Sequence, residues 1–241
     1  MNINSDNQNS QKALSPKGRE GERLCIKICG MKYPENISEV AKLSPDFMGF
    51  IFYPKSKRFV GNDFVLPEIP SSVKKVGVFV NESEKNILDV VRKYKIDYLQ
   101  LHGDESAGFC KSLFQTGKTK IIKAFGVDEN FDFSLPTEYE NHCEYFLFDT
   151  KTKEYGGSGK SFDWKILSNY KLNKPYFLSG GIGSEEVSGI RYQVSGVQHA
   201  FAIDVNSKFE TEPGLKDVNK LKKLIVIARN PGRDDEAISS M

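Results

Sequence analysis

Four side chains in this sequence have the type and position to do chemistry: Cys29, Asp149, Lys27 and Arg58. Cys29 lies near the end of the run Leu24-Cys-Ile-Lys-Ile-Cys-Gly-Met31, next to Gly30 and two residues from Lys27. A neighbouring cation lowers a thiol's pKa from ~8.5 and makes the thiolate available as a base or nucleophile. The plain alternative is a small buried hydrophobe. Asp149 closes the aromatic run Tyr145-Phe-Leu-Phe-Asp149 and shares the parity of Tyr145 and Leu147. Loss of water disfavours an ionised carboxylate, which suits a general acid; a loop or helix-capping carboxylate is the competing reading. Lys27 needs an anionic partner if buried, and Asp204 on the last strand is the natural one, as a structural ion pair rather than a catalytic couple. Arg58 ends the basic run Lys55-Ser-Lys-Arg58 and could take a carboxylate bidentately. His102 reads as a hydrogen-bonded scaffold residue, Cys25 as core, and Cys110 and Cys143 as chemically idle.

These residues must be positioned by regular elements. Leu24–Ile28, Phe47–Phe52, Lys75–Val80, Tyr98–Leu101, Lys120–Phe125, Tyr145–Phe148, Pro175–Leu178 and Ala200–Ile203 are apolar runs of strand length. Along the first, Cys25, Lys27 and Cys29 share one face and Ile26 and Ile28 the other. Helical character falls at 35–43, 83–94, 106–116, 163–170, 184–193 and 215–228, with Ile87, Leu88 and Val91 forming an apolar stripe. The connections at 61–73 and 128–142 carry prolines and are weak helix candidates. Alternating β and α segments predict an α/β fold with a parallel sheet. Eight units in roughly 205 residues predict a single (β/α)8 TIM barrel spanning 23–229, with a doubly wound sheet as the alternative. Residues 1–22 and 230–241 read as polar tails, the first disordered.

A barrel of this kind carries its active site at the C-terminal ends of its strands. The polar residues gather there: Cys29-Gly30, Arg58, Asn81-Glu82, His102-Gly-Asp104, Asp149-Thr150, Ser179-Gly-Gly-Ile-Gly183 and Asp204-Val-Asn-Ser207. The glycines after strand seven and the Asn206-Ser207 turn suit an anion held by backbone N–H groups. The segment from Lys151 to Lys160 is a lid candidate or a solvated connection.

Composition limits the alternatives. The 241 residues are 39% hydrophobic and 27% charged, with a net charge of +2, which argues against nucleic acid or an anionic membrane as the main partner. No apolar run reaches the ~18 residues of a membrane span. Cys25 and Cys29 would lie roughly 13 Å apart at ~3.3 Å per residue, too far for a shared zinc or a disulfide. With three histidines in the chain, a histidine metal site is not expected, and a reducing cytoplasm is the simpler setting.

Taken together, Lys27-Ile-Cys-Gly30, Gly49-Phe-Ile-Phe-Tyr-Pro-Lys-Ser-Lys-Arg58, Gly77-Val-Phe-Val-Asn81, Leu99-Gln-Leu-His-Gly103, Phe148-Asp-Thr-Lys151, Phe162-Asp-Trp164 and Leu178-Ser-Gly-Gly181 resemble the phosphoribosylanthranilate isomerase family of tryptophan biosynthesis, over about residues 24–228. The resemblance implies an Amadori rearrangement with Asp149 as general acid and Cys29 as general base. It implies Arg58 on the anthranilate carboxylate, and Gly180, Gly181, Asp204, Asn206 and Ser207 as substrate-binding residues. The substrate's own nitrogen would serve as electron sink, so neither cofactor nor metal is implied, and a monomer or a homodimer would serve. The family's Asp-Val-Ser-Ser-Gly-Val-Glu run reads Asp204-Val-Asn-Ser-Lys-Phe-Glu210 here. A positive φ at Lys208, where the family has glycine, would strain the backbone. Other phosphosugar barrels would need strand-end lysine and glutamates, or several metal-binding histidines; a non-catalytic phosphometabolite-binding barrel would lack the acid or the base.

Overall fold

The computed structural model describes residues 24–151, 163–183 and 200–229. Both predicted tails, the helix expected at 184–193 and all but Lys151 of the lid candidate lie outside them. Eight parallel strands close into one barrel: β1 Cys25–Ile28, β2 Phe47–Ile51, β3 Lys74–Phe79, β4 Tyr98–Leu101, β5 Lys120–Val127, β6 Tyr145–Thr150, β7 Tyr176–Leu178 and β8 Ala200–Val205. The seam is β1 against β8, with Lys27 in register with Asp204. Each predicted strand is present, and the open-sheet alternative is excluded by closure.

Around the barrel lie α1 Pro34–Lys42, α2 Glu84–Tyr94, α3 Ala107–Gln115 and α4 Val218–Arg229. Ser83 and Ser106 cap α2 and α3 by accepting from Asn86 and Phe109 N–H groups, satisfying donors that have no partner within the helix. Ile87 and Val91 are buried against the sheet, as the stripe requires. Two expected helices differ. Segment 163–170 is a short 3-10 turn, Trp164–Asn169, capped by Asp163. At 215, Pro213-Gly214 instead reverses the chain, Gly214 having φ +91°, so Leu215–Lys216 (β10) pairs antiparallel with Glu210–Glu212 (β9). The last helix then starts after Asp217, whose Oδ1 accepts from the N–H groups of Asn219 and Lys220.

The strands divide the core in two. Ile26, Ile28, Met48, Phe50, Leu99, Phe146 and Phe148 face the helices. Phe47, Val76, Tyr98, Ile122, Tyr145, Leu147, Phe177 and Ala202 fill the barrel interior. Tyr145 stacks on Phe201 at 4.5 Å, and Phe47 meets Phe177 edge to face at 5.1 Å, geometries favoured by ring quadrupoles. This aromatic plug closes the lower interior. The next inward positions on β1, β4, β6 and β8 are polar: Lys27, Gln100, Asp149 and Asp204.

Candidate active site

β1 alternates sides at every residue, so Lys27 and Cys29 point inward one above the other. Lys27 is fully buried, and its Nζ donates to Asp204 Oδ2 at 2.7 Å. The pair expected from the sequence is present. Burial pulls Lys27 down, but Asp204 and the Cys29 thiol outweigh it and hold the lysine above its ordinary range. Asp204 Oδ1 and Gln100 Oε1 are buried acceptors with no hydrogen-bond partner among the described residues.

Cys29 corrects one expectation. Lys27 does pull its thiol down, but the net shift is upward: burial pushes it up, and the cations Lys27 and Lys216 only partly offset that, with Asp204 acting against them. The physical reason is first that the sulfur is dry, and second that the Asp204 carboxylate beside Lys27 opposes the lysine's pull. Room for the thiol comes from β2. A Cβ on Gly49 would lie 2.8 Å from Cys29 Sγ and 3.2 Å from its Cα, inside contact distance. Gly30 turns the chain with φ +75°, and a Cβ there would meet Asn206 Oδ1 at 2.6 Å and Arg58 Cδ at 2.7 Å.

Asp149 lies across the mouth at the end of β6. Its Oδ1 accepts from the Thr150 N–H at 2.8 Å, and its Oδ2 is 3.4 Å from His102 Nε2. The side chain is 15% exposed, more open than an aromatic strand suggests. His102 belongs to the site as well as the scaffold: Gln100 Nε2 lies 2.7 Å from its Nδ1. With the amide donating, the neutral ring carries its proton on Nε2, toward Asp149. Asp149 and His102 both act electrostatically on Asp204, and Asp204 on Cys29, so one cluster joins the expected acid and base.

Gly180 and Gly181 have φ +96° and +64°. A Cβ on Gly180 would collide with Thr150 Oγ1 and sit 3.2 Å from Asp149 Oδ1, so this glycine has a packing reason beside β6 apart from any anion. Asn206 Oδ1 accepts from Lys216 Nζ at 2.7 Å, and Ser207 opens a three-residue 3-10 turn, Ser207–Phe209. Lys208 sits within that turn and is not among the residues of positive φ. The strain expected there does not arise.

Arg58 reaches the same mouth, but its Nε and Nη2 are held by Glu210 at 2.8–3.0 Å. Burial opposes a charged Glu210, yet hydrogen bonds from Arg58 and the Lys216 ammonium outweigh it and keep the carboxyl below its usual range. Glu210, Lys216, Gln100 and Gly49 lie beside these residues and are not singled out from the sequence. The Pro213-Gly214 turn, flanked by opposite charges at 210 and 216, is the signal that could have found two of them. Cys110 and Cys143 are buried away from the mouth, and all four cysteines are free thiols. Among the described residues no three His, Cys, Asp or Glu side chains gather as a metal site, and no helix is long and apolar enough to cross a membrane.

The comparisons with known proteins agree with this geometry. Residues 26–226 match the family model described as N-(5'phosphoribosyl)anthranilate (PRA) isomerase. The N-(5'-phosphoribosyl)anthranilate isomerase of Parabacteroides distasonis is 49% identical over 208 residues, 84% of this chain and 92% of the relative. The crystal structure of phosphoribosyl anthranilate isomerase from Thermotoga maritima aligns with TM-score 0.72 at 36% identity, over 85% of this chain and 98% of that one. A crystal structure of phosphoribosyl anthranilate isomerase in complex with reduced 1-(o-carboxyphenylamino)-1-deoxyribulose 5-phosphate aligns with TM-score 0.69 at 33% identity, covering 85% and 98%. An inward thiol beside a buried lysine, facing an aspartate across the mouth of a closed eight-stranded barrel, sits within that match, and the chain belongs to the N-(5'-phosphoribosyl)anthranilate isomerase family.

Proposed function

We propose that Asp149 and Cys29 are the general acid and general base with which this chain rearranges N-(5-phosphoribosyl)anthranilate to 1-(2-carboxyphenylamino)-1-deoxyribulose 5-phosphate. Asp149 gives a proton to the furanose ring oxygen as the C1–O bond breaks, and the anilino nitrogen's lone pair forms a C1=N iminium. That cation acidifies C2–H. The Cys29 thiolate takes this proton, and the C2–H electrons form the C1=C2 bond of an enolamine. Transfer of the C2 hydroxyl proton and return of a proton to C1 give the ketone. Atoms balance without an external redox partner.

The observation that carries the assignment is the cluster joining Cys29, Lys27, Asp204, His102 and Asp149 at one end of the barrel. The Lys27 ammonium stabilises the thiolate as it forms. The inward acceptors Asp204 Oδ1 and Gln100 Oε1 suit sugar hydroxyls. Arg58 takes the aryl carboxylate. The phosphate belongs to the N–H groups around Gly180 and Gly181 and those of the Asn206-Ser207 turn, because the Asn206 side-chain oxygen is engaged by Lys216. Four free thiols suit a reducing cytoplasm.

The test is the fluorescence decay of freshly made phosphoribosylanthranilate with wild type, Cys29→Ser and Asp149→Val. Wild-type turnover and a fall of roughly 10²–10⁴-fold in each variant, with product-analogue binding kept, is the expected outcome. Near-full activity in both variants would remove the assignment. Analogue binding by an inert wild type would favour a non-catalytic binding barrel.

A further inference from the structure

Arg58 sits on a loop, yet its guanidinium is held from the opposite end of the chain. Glu210 Oε1 and Oε2 accept from Nε at 2.9 and 3.0 Å, and Oε2 accepts from Nη2 at 2.8 Å. Behind Glu210 stands Lys216 on β10. Its Nζ donates to Glu210 Oε1 at 2.6 Å and to Asn206 Oδ1 at 2.7 Å. Lys216's own backbone is gripped by Asn36 of α1, which donates to its carbonyl at 2.9 Å and accepts from its N–H at 2.8 Å. The side chains of Arg58, Glu210 and Lys216 are 13%, 5% and 0% exposed.

A guanidinium presents two planar forks, Nε with Nη2 and Nη1 with Nη2. Glu210 occupies the first, so the end-on fork is the one that remains for a ligand. Two cations around one carboxylate leave the triad with an excess positive charge in a largely dry place, where it attracts an anion more strongly than in water. Burial pulls Lys216 down to about 8, against the pull of Glu210, so the ammonium is still present at neutral pH.

We propose that Glu210 and Lys216 are positioning residues that aim the end-on fork of Arg58 at the substrate's aryl carboxylate, making the β9–β10 hairpin the element that selects an ortho-carboxylated aryl amine over a plain one. The inference rests on the isomerase reading and on Arg58 meeting that carboxylate. A latch that merely tied the Arg58 loop to β9 would make the same contacts, but it would not distinguish substrates.

The experiment compares kcat and KM for N-(5-phosphoribosyl)anthranilate and N-(5-phosphoribosyl)aniline in wild type, Glu210→Gln, Glu210→Asp and Lys216→Met, with thermal unfolding of each variant. Wild type is expected to prefer the carboxylated substrate roughly tenfold or more in kcat/KM, the scale of a charge-assisted bidentate pair. Glu210→Gln should raise KM for that substrate about tenfold, hold kcat within about threefold, and leave the aniline compound unchanged. Glu210→Asp, which keeps the charge, should restore part of the preference. Lys216→Met keeps the Arg58–Glu210 pair but removes the excess charge. Because Lys216 also acts on Cys29 and holds Asn206, this variant should lower kcat on both substrates. Its readout is the ratio of the two KM values, which should shift against the carboxylated substrate by a smaller factor even if Glu210→Gln fails to fold. Equal rises in KM for both substrates, or an undiminished preference in the Glu210→Gln and Lys216→Met variants, would overturn the inference while leaving the isomerase standing. A wild type that turns over both compounds equally also overturns it. A wild type inert toward both overturns the isomerase reading and this inference together.

Discussion

Lys27 and Lys123 are both buried lysines paired with a carboxylate, and they differ in what else they touch. Lys123 points outward from β5 toward the helices. Its Nζ is within hydrogen-bond distance of the carbonyls of Leu101, Gly103 and Ala124 and of Glu105 Oε2. Glu105 in turn accepts from the N–H groups of Asn81 and Gly103. That pair is saturated and staples the ends of β3, β4 and β5. Lys27 points into the barrel, shares its charge between Asp204 and a thiol, and leaves Asp204 Oδ1 without a protein partner among the described residues. A saturated buried pair has nothing left to offer a ligand; an unsaturated one does.

The comparison can be broken in several ways, the largest first. Cys29→Ser and Asp149→Asn should each lower kcat by ~10²–10⁴-fold with unchanged circular dichroism; a matching loss of fold would move both residues to the scaffold side. Lys123→Met should cost ~3–5 kcal/mol in denaturant unfolding by leaving the buried Glu105 without its cation, while the pH dependence of kcat keeps its shape. Lys27→Met should destabilise too, but also move the alkaline rise in kcat to higher pH. Identical pH profiles for the two lysine variants would erase the distinction. Gly49→Ala places a methyl 2.8 Å from the Cys29 sulfur; a displacement approaching 1 Å costs up to ~10²-fold, so a fall in kcat greater than the fall in stability is expected. Finally, the wild-type kcat should rise with pH above neutrality. The thiol, raised by burial and facing Lys27, Asp204 and Lys216, acts only when deprotonated, so a kcat that is flat or falling with pH there would exclude it as base.

The barrel was legible because the outer strand faces and the lower inner positions are both apolar here, and near-continuous Val, Ile, Leu and Phe runs mark parallel strands. The Lys27–Asp204 pair was legible because period-two parity put the lysine inside, where only a carboxylate could accompany it. The sign of the Cys29 shift was not. Sequence proximity to a lysine says nothing of how far that lysine's charge is already engaged, or how dry the sulfur is. Glu210 and Lys216 escaped for another reason. Lys216 lies where Leu, Val and Ile from 215 onward read as helix, and the hairpin that brings it against Glu210 is set by Pro213-Gly214 and by long-range bonds to Asn36 and Arg58.

The seam between β1 and β8 has a consequence for the order in which the molecule can be assembled. Lys27 meets Asp204 across 177 positions, Asn36 meets Lys216 across 180, and Arg58 meets Glu210 across 152. Each joins the first quarter of the chain to its last forty residues. A nascent chain that has emerged as far as β7 therefore holds a lysine, an asparagine and an arginine whose partners have yet to emerge. Burying Lys27 at that stage would place an unpaired ammonium in an apolar interior, at a cost of several kcal/mol. The amino-terminal strands gain their buried partners only once β8 and the β9–β10 hairpin are in place, so the same segment closes the barrel and fixes the Arg58 guanidinium.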